Sequence, residues 1–359
     1  MKATIKTLFV TLLALIVMDF GVANFLNWSK ANNRLGSLTN YFDLGLSVPA
    51  KIEAWAIDDN VSGNLYQVAW PQAILMDSTQ KSAFEPDDHG RTIRNYGMSF
   101  SGNISEKAME IDPSFSVDNH AGPAAPTNHS YMLFVADREN RNPGDVVVFG
   151  ILSSSVPNIA AMSNRTWLFE QPAPYTYPIY YPEGEGLRRV DPFIGTLEKQ
   201  AELEASPGLQ RAWRDQLAEH DRFYSPLMFE WRSLDRSPLV RLIRRAATFR
   251  LLSQRDQQVL QDNEYPTLEV LRRMLVDVKN TAVQDGQIPV VLLIQTNNPS
   301  DIDLRGFLAP TLREIEIPYV ATADYFDPKD SSGFVGDGHY SGRVDKIFGQ
   351  ALLDVIEEF

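Results

Sequence analysis

No cysteine occurs among the 359 residues, which excludes a thiol nucleophile, a disulfide framework and a thiolate metal site. Histidine is scarce too, with only His89, His120, His129, His220 and His339 left for imidazole chemistry. Positive charge falls short: 33 Lys and Arg against 46 Asp and Glu leave a formal charge of −13. An acidic surface repels phosphate backbones, so nucleic acid is not an expected partner. Proline and glycine, at 22 and 21, are too few for a collagenous or low-complexity chain. Against these absences stand 44% hydrophobic and 11% aromatic residues, enough to bury a sizeable core in one large or two ordinary domains.

The longest apolar stretch lies at the start. Lys2 and Lys6 precede Thr7 to Ser29, whose only charge is Asp19. Basic residues in front and an acidic chain behind fit an N-terminus held in the cytoplasm with the bulk exported. Residues 1–29 therefore read as a membrane anchor extended by Phe20 to Trp28, or as a signal peptide cleaved near Gly21-Val22-Ala23. Localisation follows: a single-pass inner-membrane protein with an exported domain, or a periplasmic protein after cleavage.

Beyond the anchor the pattern is mixed. Residues 30–90 read as a small β element, with alternating segments such as Ile52 to Ile57 and Leu65 to Trp70. Thr92 to Tyr96 reads as a strand running into Gly97-Met-Ser-Phe-Ser, with a short helix at Ile104 to Ile111. Asp145 to Gly150 and Ile288 to Ile294 are continuous apolar runs of the kind buried on both faces of a parallel sheet. Residues 195–285 read as a helical insertion, and the helix from Thr267 to Val283 before the Ile288 strand predicts a right-handed parallel crossover. Val344, Ile347, Phe348, Ala351, Leu352, Val355 and Ile356 trace one face of a terminal helix capped at Ser341. The expected fold is a three-layer α/β domain over 91–359.

Two sites stand out. Ser99 follows a strand and Gly97 and precedes a helix, where its hydroxyl is exposed and helix-start amides face an oxyanion. Asp337-Gly-His339 lies in a glycine-rich loop before the last helix. A serine hydroxyl needs an imidazole to take its proton, and the imidazole needs a carboxylate to fix its tautomer. Asp337 and His339 supply both from one loop.

These residues resemble the SGNH, or GDSL, hydrolases. Tyr96-Gly-Met-Ser-Phe100 is similar to the first block, with Ser99 matching the nucleophile, and Asp337-Gly-His339 resembles the last block. Gly122 falls where the second-block oxyanion glycine stands, and Val146 to Gly150 resembles the strand before the third block. The resemblance implies a flavodoxin-like parallel sheet and a cofactor-free serine esterase or acyltransferase acting on an O-acylated glycan or other small ester. Departures accompany it. Met98 replaces the usual acid, and no asparagine follows Gly150, so Ser153 or Ser154 substitutes as oxyanion donor or the hole has one donor fewer. The Asp-x-His spacing resembles the membrane-tethered polysaccharide acetyltransferase branch. The incomplete third block keeps a second class open: an inactive binding or assembly protein of the envelope.

Other readings compete locally. Ser153-Ser-Ser155 offers a rival nucleophile but lacks the Gly-x-Ser-x-Gly elbow. Asp118, His120 and His129 suggest a metal, against which stands the plainer expectation of hydrogen-bonded loop histidines, so no metal is assigned. His89 and His220 sit among charged neighbours and are expected to face solvent. The aromatic and proline-rich Trp167 to Pro182 fits either sugar stacking or a packed loop. Arg241, Arg244, Arg245 and Arg250 form a basic face that is either solvated or directed at glycan or lipid headgroups.

Overall fold

The computed structural model describes residues 2–36, 38, 42, 90–122, 125–163, 176–196, 199, 202, 203, 205–229, 232–261 and 265–359. The β element expected at 30–90, His89 and the aromatic stretch up to residue 175 fall largely outside these. Within them lies a parallel sheet of five strands: β1 (Arg91–Met98), β2 (Phe115–Gly122), β3 (Val146–Leu152), then β6 (Ile288–Ile294) and β7 (Tyr319–Ala321), in the order β2-β1-β3-β6-β7. Between β3 and β6 an antiparallel hairpin, β4 (Ile179–Glu183) and β5 (Gly186–Val190), stands apart.

Helices cover both faces. α2 (Ser99–Ile111) and α8 (Gly342–Glu357) lie on one side, and α3 (Thr127–Ala136), α6 (Thr267–Gln284) and α7 (Leu304–Glu314) on the other. The period of two along β3 explains the layering. Val146, Val148 and Leu152 enter the core under α2 and α8, while Val147, Phe149 and Ile151 enter the opposite core. Both faces must be apolar, which is why the strand reads as an unbroken hydrophobic run. The insertion supplies α4 (Pro207–His220) and α5 (Pro238–Gln261). Preceding the domain, α1 (Lys2–Ala31) is apolar on all sides and contains a stretch, Thr4–Ala31, long enough to cross a membrane.

Two local readings change. The helix expected at 104–111 begins at Ser99, because the Ser101 hydroxyl closes its first turn on Met98: it accepts from the Met98 N–H at 3.0 Å and donates to the Met98 carbonyl at 2.8 Å. His220 turns inward, its ring only 14% exposed and its Nδ1 3.0 Å from the Tyr181 hydroxyl, since α4 lays its C-terminal end against the hairpin.

Candidate active site

The strand order reverses direction between β1 and β3, the place where open α/β sheets leave a crevice at their carboxyl ends. Ser99 is the first residue of α2 at that point. Its placement depends on a tight passage beneath it. A Cβ at Gly97 would fall 2.1 Å from Ser101 Oγ, and one at Gly150 on β3 would fall 2.6 Å from Ser101 Cβ. Only glycines let the first turn of α2 sink between β1 and β3, leaving the next outward side chain, Ser99, half-exposed at the rim.

The loop after β7 brings the imidazole. Phe334 and Tyr340 form an antiparallel bridge, Val335 N–H donates to the His339 carbonyl at 2.8 Å, and Gly338 N–H donates to the Val335 carbonyl at 3.0 Å. Gly338 completes this turn at φ +90°, a value side chains resist. Tyr340, 4% exposed, anchors the loop by donating to the Gln295 carbonyl, with Thr322 Oγ1 3.1 Å from its hydroxyl.

His339 Nε2 consequently lies 2.7 Å from Ser99 Oγ. On the far side of the ring, Nδ1 is 3.1 Å from Asp337 Oδ1, which also accepts the His339 backbone N–H at 3.1 Å. With Nδ1 facing a carboxylate, the proton belongs there and Nε2 presents a lone pair to the serine. The backbone N–H and imidazole of His339 hold the Asp337 carboxyl below its ordinary range, although its side chain is 69% exposed. Phe100 stacks on the imidazole at 4.5 Å between ring centres, fixing its tilt.

The oxyanion candidates divide. Gly122 ends β2 in register with Met98, so it stands on the neighbouring strand one residue below the level of Ser99. The first amides of α2 lack intrahelical acceptors and point out of the same edge. Ser153, just past β3, is 1% exposed and its hydroxyl is tied to the next loop: it accepts from Thr296 N–H at 3.1 Å and lies 3.4 Å from Thr296 Oγ1 and 3.3 Å from Asp301 Oδ2. Ser154 is half-buried and makes no side-chain hydrogen bond among the described residues.

Of the other histidines, His120 belongs to a partly buried charge network on β2 rather than to a loop. Asp118, His120 and Asp137 bring one ligand atom each within 4.8 Å of one another. Arg94 supplies positive charge at that meeting point, with Nη1 2.7 Å from Asp118 Oδ2 and 3.5 Å from Asp137 Oδ2, and Nε 2.8 Å from Asp145 Oδ2. Burial works to raise the Asp118 carboxyl, but the His120 hydrogen bond and the fields of His120 and Arg94 outweigh it and leave it low. His129 is elsewhere, on α3. Its ring nitrogens are buried without partners among the described residues, and burial pushes its imidazole down to about 4, so it stays neutral. The expected hydrogen-bonded loop histidine is thus a core side chain, packed edge-on against Tyr177.

One neighbour of the dyad gave no sequence signal. Asp345, in the first turn of α8, is 4% exposed with Oδ1 unpartnered among the described residues, and burial pushes its carboxyl up to about 7 against the fields of His339 and Lys107. Acids in a first helical turn usually answer the helix dipole at the surface, so its position alone does not single it out. Comparisons of the chain with family models, curated proteins and solved structures return no match.

Proposed function

We propose that the chain is a serine esterase or acyltransferase of the SGNH type, tethered by α1 to the inner membrane with its α/β domain exported. The observation that carries this reading is the continuous Ser99–His339–Asp337 array, at 2.7 Å and 3.1 Å, at the carboxyl end of β1. Ser99 Oγ attacks the acyl carbonyl carbon as its proton passes to His339 Nε2. Asp337 keeps the imidazolium oriented and partly neutralised. The oxyanion meets the amides opening α2 and at Gly122, with Ser154 the less encumbered hydroxyl of the two serines after β3. Collapse expels the alcohol, which takes the proton from His339 and leaves an acyl-serine. Water, or a sugar hydroxyl deprotonated by the same imidazole, then releases the acyl group. The substrate class is an O-acylated glycan or other small ester.

Incubation of the full chain with an activated acetyl ester, followed by intact-mass and peptide mapping, tests this directly. A single acetyl adduct on Ser99, absent in Ser99→Ala and competed by a fluorophosphonate, is the expected result. No adduct with any acyl donor would leave the envelope binding or assembly protein, a reading favoured by the commitment of Ser153 to Thr296 and Asp301.

A further inference from the structure

A carboxylate in an apolar helix is expensive in a membrane, and α1 carries one at Asp19, where the stretch exposed on every side, residues 4–18, ends. Its partner is the start of α5. Asp19 Oδ1 accepts from the Ser237 hydroxyl at 2.6 Å and from the Leu239 backbone N–H at 2.9 Å, so one helix caps the other where α5 is partly positive. The contact follows a helical stripe. Asp19, Val22, Ala23, Leu26 and Ser29 are wholly or partly covered, whereas Phe20, Phe25 and Trp28 remain 71%, 63% and 52% exposed. The insertion is thus built against the anchor and does not stand clear of it.

The composition of α5 and the turn before it differs from the rest of the chain. Residues 232–255 hold seven arginines and one acid, a charge of +6 in a chain whose total is −13, so the remainder carries −19. Arg244 is satisfied internally by Asp235 and the Leu227 carbonyl, and Arg241 packs on Phe42. On the outward side, Leu234 and Ile243 are 69% and 61% exposed near exposed Arg232 and Arg250, while Arg245 lies over the Phe249 ring at 4.6 Å. Large apolar side chains alternating with arginine match an interface where hydrocarbon meets anionic headgroups. A polyanionic glycan would answer the arginines but leave Leu234 and Ile243 in water.

We infer that α5 and its leading turn seat on the anionic surface of the membrane in which α1 is embedded, giving the domain a second, peripheral lipid contact beside its tether. This rests on the reading of α1 as membrane-embedded, and the test separates the two. Because the chain has no cysteine, single substitutions report unambiguously. An environment-sensitive fluorophore is placed at Leu13→Cys, Ile243→Cys or Glu357→Cys in the full chain. The labelled chains are reconstituted in phosphatidylcholine vesicles with and without phosphatidylglycerol, with nitroxide-bearing lipids as quencher.

The expected result is lipid quenching at 13 and 243 but not at 357. Each arginine at an anionic surface is worth roughly fivefold in partition. The signal at 243 should therefore fall at least tenfold without phosphatidylglycerol, and also in Arg232→Glu/Arg250→Glu, whose melting temperature checks its fold. Quenching at 13 with position 243 as water-accessible as 357 overturns this inference alone. No quenching at 13 overturns the membrane reading of α1. A label at 243 shielded from water yet untouched by lipid nitroxide assigns the face to a second copy of the chain, and also overturns it.

Discussion

Replacing Asp345 by asparagine removes a charge while keeping the shape of a side chain that is 4% exposed. Burial raises its carboxyl from 3.8 to about 7 in the folded chain. Between about pH 4 and pH 7 the folded protein therefore keeps a proton that the unfolded chain has already released. Stability from this group falls as pH rises through that window and is level on either side. Asparagine has no such dependence. At 1.36 kcal/mol per pH unit the gain for Asp345→Asn above pH 7 has an upper bound of about 4 kcal/mol. Relaxation and water entry reduce buried-charge penalties, so about 2 kcal/mol is the expected value. Thermal melts of the two proteins should coincide near pH 4 and diverge by a few degrees at pH 8, with the variant more stable. A difference that is constant from pH 4 to pH 8, or that grows toward acid, would refute the argument.

Ser99→Ala and His339→Ala should each abolish most ester cleavage, and the double variant should lose little more, because both serve one proton transfer. Initial rates on an activated ester check this, with additive losses counting against a shared step. Arg94→Met leaves Asp118, Asp137 and Asp145 without their common cation and should cost about 3–5 kcal/mol in chemical denaturation; a cost below 1 kcal/mol would mean the network contributes little. Gly150→Ala drives a Cβ to 2.6 Å from Ser101 Cβ, so about 1–3 kcal/mol of destabilisation is expected. Esterase loss in that variant should exceed what its unfolded fraction explains, since the displaced turn carries Ser99.

The parts of this fold that were legible in sequence are those where burial is total. β3 and β6 are apolar on both faces, and α8 repeats its apolar residues at helical spacing, so continuous or periodic hydrophobicity marked them. β2 escaped because its inward residues include Asp118 and His120, whose polarity is spent on Arg94 and Asp137 inside the fold. The start of α2 was misplaced because Ser-Phe-Ser-Gly-Asn contains poor helix formers, and the Ser101 clasp overrides their propensity. In the candidate site, the pairing of Asp337 with His339 was readable from local spacing, whereas its meeting with Ser99, 240 residues away, depends on the sheet. Asp345 was not, since a carboxylate six residues past the histidine becomes informative only when α8 packs it away from water.

Asp337 and His339 share one tight turn, so acid and base form a single body whose internal geometry does not depend on the rest of the sheet. Ser99 belongs to another body, the β1–α2 junction held at Gly97 and Gly150. The two bodies meet through the Ser99–His339 hydrogen bond and through Phe100, whose ring stacks on His339 and meets Tyr340 edge-on. In the serine-hydrolase reading proposed for the chain, a shift of one body on the other would break the Ser99–His339 hydrogen bond while leaving the Asp337–His339 pair together.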